Sequence, residues 1–183
     1  MILSSRKLRG NAFNHFIIGM SIPDLVFCLG CGISCLRSAV AGQWAGGNWN
    51  CNMQAVYVSF GIGSSVWINC LVVWELQRLT SSIAKSAGGG KLVMPKPPPL
   101  WKTLLRICCV YAYNLLLSTM EFITPDWLIT SNAVYGLACL TLPTSAAALQ
   151  FLWLVQMPLT CFLPIIFSIG AYARAYYLIR KVR

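Results

Sequence analysis

The stretch Ala12–Leu36, AFNHFIIGMSIPDLVFCLGCGISCL, carries one acid, Asp24, and one histidine, His15, in an otherwise apolar or small-residue run. About 20 helical residues cross a hydrocarbon core about 30 Å thick, so this run reads as a membrane-spanning helix. Pro23 would oppose a helix in water. In lipid it is tolerated, provided that neighbouring helices satisfy the carbonyl it leaves without a donor. Three further stretches have the same character: Asn52–Leu76, Leu100–Ile123 and Ala148–Tyr172, the last with Pro158 and Pro164. The expectation is an all-α polytopic bundle of four transmembrane helices forming a single membrane domain over residues 1–183. A shorter apolar patch, Ala133–Pro143, begins beside Thr130, Ser131 and Asn132 and reads as a packed loop.

Composition agrees. The 183 residues are 57% hydrophobic and only 10% charged, whereas a soluble domain has roughly a quarter of its residues charged. The net charge of +10 is spread through the connections between apolar runs; a nucleic-acid binder would gather it into one stripe on a polar domain. Thirteen of the fourteen lysines and arginines fall before the first span, between the second and third, or after the fourth, and only Arg37 lies on the other side. The positive-inside rule makes the basic side cytoplasmic. Both termini are then inside, the loops Arg37–Cys51 and Thr124–Ala147 are outside, and the plasma membrane is the expected location. The basic start followed by an apolar run also has the form of a signal peptide, but its length and the central Asp24 favour a retained span. The cytoplasmic connection 77–99 contains SAGGGKLVMPKPPP (Ser86–Pro99), a flexible glycine segment followed by extended proline geometry.

An ionisable side chain in mid-membrane costs on the order of 3 kcal/mol, so Asp24 is the first candidate for function. It lies roughly 18 Å below the outer end of its helix, and Ser65 roughly 21 Å below the outer start of the next, so the two reach one depth. Asn69 extends the polar stripe by one turn. An ion or proton site and a hydrogen bond that only joins helices are equally open readings. Small residues on the second helix, Ser59, Gly61, Gly63, Ser64 and Ser65, suit a helix enclosed by others. Glu75 and Arg78 stand three apart, a spacing for a local ion pair. Of nine cysteines, Cys51 and Cys139 fall in the two outward loops, on the oxidising side, and are expected to form a disulfide. The others lie in spans as small apolar groups. Cys28 and Cys31 have half the spacing of a zinc site, but the lone histidine is about three turns away, and no metal or other cofactor is called for. No catalytic triad and no phosphate loop can be assembled, so an enzyme is not expected.

Together these residues resemble part of a seven-helix G-protein-coupled receptor, helices two to five. NHFIIGMSIPDLVF places Asn14 ten residues before Asp24, similar to the second helix of rhodopsin-like receptors. WAGGNWNC places Trp44 seven residues before Cys51, similar to the family's first outer loop and third-helix cysteine. Ser65 and Glu75, counted from Cys51, match the sodium-site serine and the acidic residue of the D/E-R-Y motif. Pro164 and Tyr172 match the fifth-helix proline and tyrosine. The resemblance implies a sodium ion at Asp24 and Ser65, and an outer ligand cavity lined by Gln54, Val58, Gln156 and Met157. It implies activation or bend positions at Glu75, Pro164 and Tyr172. It also implies lipid and an extracellular ligand as partners, and a heterotrimeric G protein, against whose usual ionic latch stands Leu76 in place of the motif arginine. Val58, where amine receptors have aspartate, disfavours an amine ligand. The run CNMQAVYVSFGIGSSVWINCLVVWELQ, with Gln54 and Trp67, is similar to cyclic-AMP-receptor-like proteins, and the two branches stay open. Seven spans need roughly 140 residues of helix before loops, so the resemblance implies a partial bundle.

The implied function is transmembrane signalling by ligand-biased helix rearrangement. A four-span structural or adhesion protein is the alternative. Trp44, Gly47, Trp49 and Cys51 resemble the outer-loop signature of claudins, although an outer loop of about 14 residues is short for their extracellular sheet. A transporter would need an inverted repeat or facing broken helices, and neither is visible.

Overall fold

The computed structural model describes residues 12–87, 98–123, 128–133, 138–143 and 145–182. Most of the glycine- and proline-rich connection, Arg6, Lys7, Arg9, Lys91, Lys96 and Arg183 lie outside the described residues, as do the side chains of Lys85 and Cys139. The elements in order are α1 (Ala12–Ala41), α2 (Gly47–Ala87), α3 (Leu100–Ile123), β1 (Leu128–Ala133), β2 (Ala138–Pro143), α4 (Ala146–Phe151) and α5 (Leu163–Val182). Between α4 and α5 the helix continues through two π-helical segments, Leu152–Gln156 and Pro158–Phe162.

Among the described residues four helical stretches are long and apolar enough to cross a membrane: Phe13–Ala41, Trp49–Ala84, Leu100–Met120 and Ala146–Arg180. At 1.5 Å per residue the 41 residues of α2 extend about 60 Å, twice the hydrocarbon thickness, so this helix is longer than one crossing of the hydrocarbon core requires. The α1–α2 connection is short. Gly42, with φ +67°, ends α1 in the left-handed conformation that glycine adopts without a Cβ penalty, and Gly47, with φ +65°, opens α2 in the same way. Between them Ala45 N donates to Ser38 Oγ at 3.3 Å, and Trp44 Nε1 donates to the Gly47 carbonyl at 3.1 Å.

α2 is the central helix, packed against α1, α3 and α5. Its small residues explain how. Gly61 faces α1, where an added Cβ would meet Phe27 Cβ at 3.1 Å, and Gly63 faces the Asn114 carboxamide of α3. Phe16, Ile68 and Ile107, one from each of the three helices, form the buried apolar core, with Met20, Leu71, Val72, Val110 and Tyr111 packed around it. Outward-facing apolar side chains run the length of the other faces, among them Leu25, Leu29, Ile33 and Leu36 on α1 and Ile166 and Ile169 on α5. That pattern suits lipid as solvent, since the bilayer imposes no penalty on an exposed leucine.

Where the patch Ala133–Pro143 is described, at Ala133 and over Ala138–Pro143, it is strand rather than packed loop, and residues 134–137 lie outside the described residues. β1 and β2 pair antiparallel from Leu128↔Pro143 to Ala133↔Ala138 and rest on α2. The register sets Leu142 opposite Ile129 and Thr141 opposite Thr130, and β-branched residues such as Ile129, Thr130 and Thr141 favour strands. Inter-strand pairing also satisfies backbone groups that a packed loop would leave open.

Candidate functional site

The site begins with the prolines. Pro23 has no N–H to give the Gly19 carbonyl four residues earlier, and Tyr111 of α3 donates its hydroxyl to that oxygen. Near α5 the helix follows a π register, with Leu163 N–H bonded to Pro158 O five residues back. In that register the donor due to Leu159 O would come from residue 164, which is proline. Two aromatic side chains take its place: Trp67 Nε1 of α2 donates to Leu159 O at 2.9 Å, and Tyr113 Oη of α3 at 3.4 Å. Trp67 and Tyr113 meet edge to face, 5.5 Å between ring centroids. At both sites a carbonyl left without its backbone donor thus becomes a point of attachment between helices.

Beside these anchors lies the polar stripe. Ser65 Oγ donates to Asp24 Oδ1 at 2.6 Å, joining α2 to α1 at the depth their sequence positions suggest. Asn69 is one turn further along α2, with Nδ2 3.5 Å from Ser168 Oγ of α5. Ser168 also meets the Cys70 thiol at 3.4 Å, and that thiol donates to the Pro164 carbonyl at 3.1 Å. A cleft of about 430 Å³ opens along this stripe, lined by Met20, Ser65, Asn69, Ile165, Ser168 and Tyr172 among others. Tyr172 therefore reaches the same cleft as Ser65, while Asp24 sits at the exposed face beside it.

At the opposite end from the short α1–α2 loop, Glu75 is 3% exposed and bridges two arginines. Its Oε2 pairs with Arg78 Nε at 3.3 Å, at the i, i+3 spacing, and its Oε1 accepts from Arg106 Nη1 of α3 at 2.8 Å. The second partner is invisible in local sequence because it comes from another helix 31 residues away.

The outer positions separate. Gln54 is fully buried, and its Nε2 points to Cys31 Sγ of α1 at 3.7 Å. Val58, Gln156 and Met157 are partly exposed, the last two at the π-helical segments. Thr160 Oγ1 donates back to the Gln156 carbonyl at 2.8 Å. Cys51 is buried at the start of α2, and the free thiols among the described residues are Cys28, Cys31, Cys35, Cys70, Cys108, Cys109 and Cys161. Cys139 stands in β2 opposite Asn132, on the strand that packs against α2. Among the described residues no group of three or more His, Cys, Asp or Glu could hold a metal ion.

No family model matches the chain, and no curated protein matches it. A solved structure does: squid rhodopsin superposes with a TM-score of 0.79 at 13% identity, covering 98% of this chain and 46% of the rhodopsin chain. The fold is thus that of part of the seven-helix rhodopsin bundle, and the chain spans about half the length of that protein. At this identity the match defines architecture: a membrane-type bundle of four long apolar helices.

Proposed function

We propose that the chain is a receptor-like integral membrane protein that carries a signal across the bilayer by helix rearrangement, with a sodium ion at Asp24 and Ser65 favouring one arrangement. The observation that carries the reading is the 2.6 Å contact between an ionisable carboxylate and a hydroxyl on two different spans, set within a rhodopsin-like fold. A carboxylate on an open face at mid-membrane is costly unless a cation or donors complete its surroundings, and carboxylate and hydroxyl oxygens are hard ligands suited to a small cation. The cleft lined by Ser65, Asn69 and Ser168 lies beside this contact, and Tyr172 of α5 lines it too.

In this reading Val58, Gln156 and Met157 border the outer cavity, while buried Gln54 shapes its floor from the α1 interface. Glu75, Pro164 and Tyr172 carry the rearrangement. In this reading Cys51 and Cys139 form a disulfide, a pairing compatible with the packing of β2 on α2. Both termini are cytoplasmic, at the plasma membrane, with an extracellular ligand. Coupling to a heterotrimeric G protein uses contacts other than the motif arginine, since Leu76 occupies that position and Arg78 is engaged by Glu75.

Sodium itself is the probe. Thermal unfolding of the purified chain in detergent is expected to shift upward in sodium chloride relative to choline chloride, since a ligand that binds only the folded state stabilises it. The shift should vanish in Asp24→Asn and shrink in Ser65→Ala. A sodium-dependent shift that survives intact in Asp24→Asn rejects the ion site.

A further inference from the structure

We propose that the membrane boundary where α2 leaves and α3 enters the bilayer binds the phosphate of one anionic phospholipid between Arg78, Lys102 and Arg106. Glu75 is too buried to meet solvent, yet its two guanidinium partners are 36% and 38% exposed, so each spans from the buried carboxylate to the surface. Each guanidinium carries five N–H donors in a planar fork suited to phosphate oxygens. Lys102 lies four residues before Arg106, on the same face of α3. Two arginines against one carboxylate leave one positive charge in excess, and Lys102, on the same face of α3 and outside the ion pairs, adds a second. The first turn of α3 adds the positive end of a helix dipole and contains no acidic residue.

A phospholipid is favoured over a free anion by the apolar surroundings. The candidate span of α3 begins at Leu100, which puts Lys102 and Arg106 within its first two turns, at headgroup depth. Trp101 is 61% exposed there, with Lys102 Nζ 5.3 Å from its ring centroid. An exposed tryptophan beside a lysine is the side-chain pair that settles at a bilayer interface. Leu104 and Leu105, exposed in the next turn, offer a surface for the acyl chains. Basic pockets between transmembrane helices are the form in which anionic headgroups are recognised. Glu75 then has two roles: it draws the arginines together, and it competes with the phosphate for them.

The proposal stands apart from the sodium reading and is tested separately. The chain is purified in mild detergent with mixed phosphatidylcholine and phosphatidylserine, and lipids retained by the protein are counted by native mass spectrometry. One phosphatidylserine is expected to remain on the wild-type chain. Retention should fall at least threefold in Lys102→Gln and further in Lys102→Gln/Arg106→Gln, rise in Glu75→Gln, and stay unchanged in Arg37→Gln at the other end of the bundle. Because Lys102 is exposed and outside the Glu75 ion pairs, its variant decides the matter even if a change at Glu75 or Arg106 costs folding, which circular dichroism would reveal. Wild-type retention in both lysine variants overturns the proposal, as does an equal loss in Arg37→Gln, which would mean diffuse charge attraction. Displacement of the lipid by millimolar inorganic phosphate overturns it too, because the site would then be one for a free anion.

Discussion

Tyr111 shows how a single hydroxyl makes a proline affordable in a membrane helix. With no water in the hydrocarbon region, the Gly19 carbonyl has only protein donors to turn to, and the Tyr111 hydroxyl is the one that reaches it. Tyr111→Phe keeps the ring, its edge contact with Phe60 and its place beside the apolar core, and removes only that donor. The expected loss is about 1 kcal/mol, the scale of interhelical hydrogen bonds in membranes, read from unfolding of the chain in mixed detergent and sodium dodecyl sulfate. Tyr176→Phe, on an exposed tyrosine, should have no effect. Equal stability of Tyr111→Phe and wild type would mean that the Gly19 carbonyl finds another donor.

At the scale of the element, the π-helical passage before α5 leaves one carbonyl to side-chain donors. In its i→i+5 register Pro164 has no N–H to give Leu159 O, and that oxygen is bonded by Trp67 and Tyr113 instead. π segments are strained and cluster where helices bend or function. Pro164→Ala restores an N–H. In either an α or a π register, Leu159 O then acquires a backbone donor, from residue 163 or 164, which competes with the Trp67 indole. The indole N–H resonance of Trp67 in a detergent-solubilised nitrogen-15 sample should move upfield as its hydrogen bond weakens. An unmoved resonance would show that Trp67, rather than the proline, sets this geometry. Gly63 illustrates the opposite constraint on an element: it lets the Asn114 side chain come against α2, and a Cβ there would strike the carboxamide oxygen.

For the whole molecule the governing fact is that its apolar residues face outward. Leu25, Leu29, Ile33 and Leu36 of α1 and Ile166 and Ile169 of α5 are exposed, whereas Phe16, Ile68 and Val73 are buried between helices. An apolar carbene reagent partitioned into the bilayer should label the first set and spare the second. Uniform labelling would reject the packing of α1 and α3 on α2, and a chain that stays monodisperse in detergent-free buffer would reject the membrane reading altogether. The polar groups follow the reverse rule. Ser65, Asn69 and Ser168 line one cleft, with Asp24 held by Ser65 on the exposed face beside it, and Glu75 is drawn to a second helix at the basic end.

The sequence by itself determined the solvent, the number of long helices, the central character of α2, the shared depth of Asp24 and Ser65 and the Glu75–Arg78 pair. These depend on composition, run length and spacing along one helix, which are properties of a linear string. It also indicated that prolines in the spans would need donors from neighbours, without indicating which. The partners themselves, Tyr111 for Gly19, Trp67 and Tyr113 for Leu159, Ser168 for Asn69 and Arg106 for Glu75, were decided by the tertiary structure alone. So was the pairing of strands Leu128–Ala133 and Ala138–Pro143, whose short apolar runs have no helical period to betray them. A hydrogen bond between helices depends on their crossing and rotation, and those are set by how small residues such as Gly61 and Gly63 let two backbones approach, a quantity that exists only once the helices have packed.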